Sequence, residues 1–208
     1  MKRHWILSVV CLLMLALPIR VWAQKHSLRV EASSLLVGHI GLDYGIAVSP
    51  KVSVHVPVFV KPVTLGIPAP VGAVMSFERL FSEHLYLAGQ FSPVEHWTHA
   101  GIEPGVRYWT NGVYNRGVFF GGHILGKVFR YGGHRLDSSF REGYAVGGFA
   151  SIGYSRELSA RWGLEFELGL GVQYRSYDRY DLSRVHLATG EDLVPAVSRF
   201  GIQIVYLL

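Results

Sequence analysis

Between Trp162 and Tyr174 the chain alternates without a break. Trp162, Leu164, Phe166, Leu168, Leu170, Val172 and Tyr174 are apolar, and Gly163, Glu165, Glu167, Gly169, Gly171 and Gln173 between them are small or polar. Side chains alternate faces along a strand, so this run has one greasy face and one polar face. The greasy face is aliphatic in its middle and aromatic at both ends. Ordinary strands average about 5–6 residues. A tilted strand needs roughly 9–11 residues to cross a bilayer core, with aromatic girdles at the two interfaces. The seven apolar side chains are therefore expected to face lipid.

The same alternation recurs along the chain. Residues 36–48 set Leu36, Ile40, Leu42, Tyr44, Ile46 and Val48 against His39, Asp43 and Gly45. Residues 52–60 set five valines against Ser53, His55 and Phe59. Residues 144–154 set Tyr144, Val146, Ala150, Ile152 and Tyr154 against Gly147, Ser151 and Gly153. The last segment sets Phe200, Ile202, Ile204, Tyr206 and Leu208 against Arg199, Gly201 and Gln203. Weaker versions lie at 26–33, 101–110 and 117–130, where Phe119 and Leu125 interrupt the polar face.

Short and long connections alternate between these segments, as in a barrel with tight turns at one end and longer loops at the other. Val48-Ser49-Pro50-Lys51-Val52 and Leu158-Ser159-Ala160-Arg161-Trp162 are near copies, and residues 110–116 form a third compact turn. Residues 131–142 and 178–195 are long and polar and are expected to be outer loops. On this threading Tyr108, Tyr154, Trp162 and Tyr206 fall at the periplasmic interface, and Tyr144, Tyr174 and Phe200 at the outer one. Residues 63–98 fit either a loop with a short amphipathic helix or a further hairpin around Phe81-Ser82-Glu83-His84-Leu85. The pattern predicts an all-β, antiparallel, up-and-down transmembrane β-barrel of eight to ten strands, with ten favoured.

The first 23 residues read as a secretory signal peptide, which leaves 24–208 as the barrel domain. Lys2 and Arg3 precede an apolar stretch from Trp5 to Leu17, and Val21-Trp22-Ala23 supplies small residues before a cut after Ala23. About 13 apolar residues are too few for a comfortable span. Cys11 does not make a lipoprotein site, because Val10 stands where a small residue is wanted and Cys11 lies inside the apolar core. Removing the signal takes the single cysteine with it, so a disulfide or thiolate metal site is not expected. It also removes three basic residues and no acidic one, which lowers the formal charge from +5 to +2. No basic cluster suggesting nucleic acid remains.

Several motifs, in order, carry a resemblance. They are Glu103-Pro104-Gly105-Val106-Arg107-Tyr108-Trp109, Phe119-Phe120-Gly121-Gly122-His123, Ser159-Ala160-Arg161-Trp162-Gly163-Leu164-Glu165, Tyr177-Asp178-Arg179-Tyr180 and Gly201-Ile202. Together they resemble a family of outer-membrane β-barrels of unknown function from Bacteroidetes-type bacteria, often encoded near fimbrial genes. The resemblance covers 36–60 and 100–208 and departs at 63–98, where this chain is longer. It implies an outer-membrane location and a link to surface appendages. It supplies no active site.

The inward set comprises Arg29, Glu31, His39, Asp43, His55, Glu103, Arg107, His123, Lys127, Glu165, Glu167, Arg175 and Arg199. In a small barrel such residues normally pair and fill the interior, and Glu103, Arg107, His123, Glu165, Glu167, Arg175 and Arg199 are expected to form that network. A narrow channel or small-ligand pocket is the functional alternative. His39, His55 and His123 could in principle meet at a metal, although nothing in their spacing fixes a site. A lipid-modifying enzyme is the more serious rival, because Ser138, Ser139, His134 and Asp137 lie together in one loop, and His186 and Ser183 in another. Loop Ser and Asp are commonly turn formers, and the glycine pairs are not followed by helices as phosphate loops require. No catalytic, metal or cofactor residue is assigned. The reading is a non-enzymatic envelope barrel with a structural or interaction role. Its expected partners are outer-membrane lipid, the barrel-assembly machinery and surface appendage or envelope proteins.

Overall fold

Apolar–polar alternation becomes a single closed sheet in the computed structural model, which describes residues 26–35, 38–62, 96–132 and 139–208. The strands are β1 (His26–Glu31), β2 (Ile40–Ala47), β3 (Val52–Lys61), β4 (His96–Ile102), β5 (Gly105–Trp109), β6 (Gly117–Gly132), β7 (Ser139–Glu157), β8 (Trp162–Asp181) and β9 (His186–Leu207). One short helix, α1 (Ala32–Leu35), follows β1. Each strand pairs antiparallel with its neighbour, and β9 closes onto β1, with Leu28 opposite Tyr206.

β4 and β5 share one position in the barrel. Both lie between β3 and β6, and the register runs on unbroken from Val58↔Ile102 to His55↔Gly105. The ladder is interrupted only at Glu103-Pro104, where proline lacks an N–H. The Glu103 N–H still bonds Pro57 O at 3.0 Å, and Pro104 O accepts from Ile124 N–H at 2.9 Å. By position the barrel has eight strands, the smaller of the two expected counts. Because β3 pairs directly with β4, no further pair of strands fits between them. Most of the stretch read as a hairpin, residues 63–95, lies outside the described residues, as does the proposed signal peptide.

Both termini of the described barrel and the turns at 48–51, 110–116 and 158–161 lie at one end, called here the terminal end. Connections at the other, far end follow β1, β3, β6 and β8. The two near-copy turns close identically: Ser49 and Ser159 N–H groups bond the carbonyls of Val52 and Trp162, and each serine hydroxyl accepts from that residue's N–H. The second strand begins later than the alternation suggested. The chain first makes α1, and Gly38 then turns it at φ 72° before Ile40.

Residues 178–195 are not a loop. β8 and β9 continue as a paired ribbon to a four-residue turn at 182–185, where Asp181 Oδ1 accepts from Val185 N–H at 2.8 Å. The twenty residues of β8 extend about 66 Å at roughly 3.3 Å each, or roughly 45 Å along the barrel axis at a tilt near 45°. An apolar band about 25 Å tall covers little more than half of that. Beyond Tyr174 both faces of the ribbon are polar, so alternation of hydrophobicity stops while the hydrogen-bond ladder goes on.

Outward positions carry a continuous apolar belt that includes Leu42, Val58, Val106, Phe120, Ile124, Val146, Ile152, Phe166, Leu170 and Ile204, all exposed. Phe200 pairs with Leu168, the middle of the apolar run 162–174, and so sits mid-belt rather than at the outer rim where the alternation placed it. Among the described residues no helix is long and apolar enough to cross a membrane.

Candidate functional site

The lumen is the place where polar chemistry gathers. Near the terminal end it is plugged by large side chains. Trp109 and Phe119 are fully buried, with ring centroids 4.8 Å apart. This explains why Phe119 broke the polar face of its strand: it is packed inside. Trp109 Nε1–H donates to Ser53 Oγ at 2.9 Å. The turn after β5 folds back into the barrel mouth, with Asn115 fully buried at φ 61°. Arg29 donates to Asn115 Oδ1 at 3.0 Å and to Ser27 Oγ at 2.7 Å, and Ser27 also bonds the Tyr114 hydroxyl.

An ion-pair cluster lies above this plug. Arg107 contacts Glu165 at 2.8 Å and Glu167 at 2.5 Å, while its guanidinium lies 4.6 Å from the Phe119 ring centroid. Arg199 bridges Glu167 at 3.0 Å and Glu103 at 3.3 Å. Asp43 sits within 3.7 Å of Arg107 and 3.6 Å of Arg199. Glu167 also accepts from Ser151 Oγ at 2.7 Å and lies 3.1 Å from His123 Nε2. Six of the seven residues expected to share the lumen network are thus brought together. Arg175 is not among them: it pairs with Asp192 on β9 at 2.6 and 2.7 Å, nearer the far end.

Two Ser–His pairs occur in this cluster. Ser53 Oγ lies 2.7 Å from His55 Nε2, whose Nδ1 is 3.4 Å from Asp43. Ser151 Oγ lies 2.7 Å from His123 Nε2. Acyl transfer needs space for a substrate carbonyl beside the hydroxyl and donors for its oxyanion. Ser53 and His55 are fully buried, and Ser53 Oγ is already engaged by Trp109 and His55. Their geometry serves packing. Of the three histidines that could in principle meet at a metal, His55 and His123 belong to this cluster, and His39 packs edge-on against Phe59 and His99. Among the described residues no group of three or more His, Cys, Asp or Glu could hold a metal ion.

In the far half the lumen opens into a cavity of about 200 Å³. Arg199, Glu103 and Asp43 form its floor. Phe59, Leu125 and Phe149 give it an apolar wall, and Lys61, Lys127, His39 and His99 line its remaining side. Leu125, the other interruption of the polar face, is part of this wall. Glycines seat the aromatic wall: a Cβ at Gly101 would collide with the Gly126 carbonyl and the Phe59 ring, and one at Gly171 with the Gly148 carbonyl and Phe149.

The lipid-enzyme residues fare differently. His134, Asp137 and Ser138 lie outside the described residues. Ser139 Oγ accepts from Arg179 Nε–H at 2.7 Å. His186 Nε2 lies 3.3 Å from Asp178 and 3.2 Å from Thr189, and Ser183 sits in the ribbon's turn. The Thr189 hydroxyl and the His186 imidazole hold the Asp178 carboxyl below its ordinary range. These are contacts that tie the ribbon together.

Residues 7–208 match the sequence profile of DUF3575, described as a protein of unknown function. The chain belongs to the DUF3575 family. No curated protein and no solved structure matches it. Sequence reasoning missed Ser27, Trp109, Tyr114 and Asn115 at the plug, and Lys61 and His99 at the cavity. Parity alone would have found Lys61, two residues beyond inward-facing Phe59. Nothing local signals that the 110–116 turn tucks inside.

Proposed function

We propose that this DUF3575 protein is an exported outer-membrane barrel with a structural and envelope-interaction role rather than a catalytic one. The observation that carries the reading is the exposed apolar belt around a closed eight-stranded barrel, because a soluble protein rarely exposes contiguous apolar patches beyond a few hundred Å². In this reading Trp162, Leu164, Phe166, Leu168, Leu170, Val172 and Tyr174 meet lipid, residues 1–23 are removed as an export signal, and the terminal end faces the periplasm. The plugged terminal half speaks against a channel. The β8–β9 ribbon then stands outside the membrane on a rigid scaffold, where binding surfaces are commonly carried. Surface appendages, fimbriae among them, or other envelope proteins are its proposed partners, with the barrel-assembly machinery required for insertion.

Membrane fractionation together with gel mobility of boiled and unboiled samples tests the location. The expected outcome is recovery in the outer membrane with a heat-dependent mobility shift; a periplasmic chain with no shift overturns it. Shortening the ribbon between Tyr180 and Asp192 and cross-linking intact cells tests the role. Partner capture is expected to fall while the envelope lipid profile is unchanged. An altered lipid profile would instead support an enzyme.

A further inference from the structure

Cations are handled differently at the two ends of the barrel. Toward the far end Arg130 bonds Glu142 at 2.7 Å and Arg175 bonds Asp192 at 2.6 Å. At the terminal end Lys51, Arg116, Arg156 and Arg161 are all exposed, and none of them makes an ion pair with another residue of the chain. Of the side-chain carboxylates described at this end, Glu157 alone is exposed, because Glu165 is buried in the lumen. The rim therefore carries a surplus of positive charge without internal counterions.

The turns distribute these cations around the ring. Lys51 sits in the β2–β3 turn, Arg116 ends the turn between β5 and β6, and Arg156 and Arg161 stand on either side of the β7–β8 turn. Asn115 swings into the lumen at φ 61°, and Arg116, the next residue, is left outside.

Each cation also adjoins an aromatic side chain at the edge of the apolar belt. Lys51 precedes Val52, which pairs with Tyr108. Arg116 lies two residues before Val118, which pairs with Tyr154. Arg156 follows Tyr154 on the same outward face of β7. Arg161 donates from Nη1 to the Tyr206 hydroxyl at 3.2 Å, and the Trp162 and Tyr206 rings are 4.9 Å apart.

A solvated surface charge needs no such neighbour. Where aromatic rings mark the boundary of a lipid-facing belt, a long basic side chain just outside them lays its stem on apolar surface and holds its charge at headgroup level. About four to eight Lys or Arg gathered at that level attract anionic lipid. Guanidinium donors match phosphate oxygens in parallel pairs of hydrogen bonds, and three of these four cations are arginines.

We propose that the terminal end is a docking surface for anionic phospholipid. Lys51, Arg116, Arg156 and Arg161 hold the phosphodiester groups, and Tyr108, Tyr154 and Trp162 pack against the ester region beneath them. The inference rests on the outer-membrane reading and names the lipid chemistry that the barrel selects in the leaflet at its terminal end.

Phosphatidylglycerol is the probe, and zwitterionic phosphatidylcholine is its counterpart. The full barrel is inserted into phosphatidylcholine vesicles, checked for heat-modifiable mobility, and exposed to each lipid carrying a spin label on its chain. Electron paramagnetic resonance then gives the ratio of their association constants at the barrel surface. A preference of about threefold or more for phosphatidylglycerol is expected, falling toward one in Lys51→Gln/Arg116→Gln/Arg156→Gln/Arg161→Gln. Arg130→Gln/Arg184→Gln removes two cations toward the far end and should leave the preference unchanged. Salt tests the unaltered barrel, so the result does not depend on the fourfold variant folding: screening lengths shrink from about 10 Å at 0.1 M to about 3 Å at 1 M, and the preference should shrink with them.

A chain that does not insert overturns the outer-membrane reading and this inference together. An inserted barrel with no preference, with one that salt does not weaken, or with one that the folded fourfold variant keeps overturns this inference alone. So does a preference that the far-end pair abolishes. Absence of lipid preference combined with co-sedimentation of the detergent-solubilised barrel on purified cell-wall sacculi would assign the cations to the wall instead.

Discussion

The two halves of the lumen are built from the same kinds of residue, yet one is packed and the other holds a cavity. In the terminal half Trp109, Phe119, Arg29 and Arg107 fill the cross-section, and each guanidinium has a carboxylate or a hydrogen-bond acceptor against it. In the far half Gly41 and Ser198 stand among the longer side chains that line the cavity, and those side chains do not meet across it. Both halves are polar. What separates them is side-chain volume, and in a barrel just wide enough for side chains volume decides whether the interior is filled.

The ion cluster offers the strongest way to break this comparison. Glu167→Ala would leave Arg107 and Arg199 without the carboxylate they share, and stranding buried charges costs about 3–5 kcal/mol. Unboiled samples should then lose the compact band, and the urea midpoint should collapse; an unchanged midpoint would mean that the cluster does not hold the barrel closed. The wall common to both halves comes next. Leu168→Arg on the outer face should cost roughly 2–4 kcal/mol in lipid vesicles, whereas Gln173→Glu on the inner face should be much milder. Equal tolerance would invert the assignment of faces.

A matched pair of small changes sharpens the contrast between packed and open. Trp109→Phe removes the donor to Ser53 inside the plug and should destabilise by about 1–3 kcal/mol. Ser198→Ala removes a hydroxyl that makes no hydrogen bond among the described residues and should change stability by no more than about 0.5 kcal/mol. Urea titration of both variants under the same conditions gives the comparison directly.

The smallest effect belongs to the ribbon. Asp178 is held below its ordinary value of 3.8 by Thr189 and His186, and a depressed carboxylate stabilises above the unfolded value and stops doing so as pH falls through the folded one. Amide protection around 178–189 should therefore fall only below pH 3.8, with the barrel strands unaffected. Protection that is flat down to strongly acidic pH would show that the backbone ladder alone holds the ribbon.

The barrel and its strand directions were legible because a period of two, repeated over a bilayer's width, is a strong pattern, as in 52–60 and 162–174; the number was legible only as eight to ten, and the favoured ten gives way to eight. The break at Glu103-Pro104 was legible as a motif but not as one strand in two pieces, because only the ladder shows that β3 and β6 continue past it. The ribbon beyond Tyr174 was read as a loop for a physical reason. Where both faces of a strand are wet, composition carries no alternation, and only backbone pairing marks it.

The sequence by itself determined the barrel and, wherever a strand runs without a bulge, which side chains point in or out, since alternation leaves no freedom once one residue is placed; at Ser198 a bulge in β9 switches the parity. It also determined that the interior would be charged. Tertiary structure alone decided which charges meet, because Arg29 and Glu165 are 136 residues apart and come together only when β9 closes onto β1. It decided that the 110–116 turn plugs one end. And it decided that the other end keeps its cavity, because the volume left inside a ring of eight strands depends on every inward residue at one height, which no local segment of the chain contains.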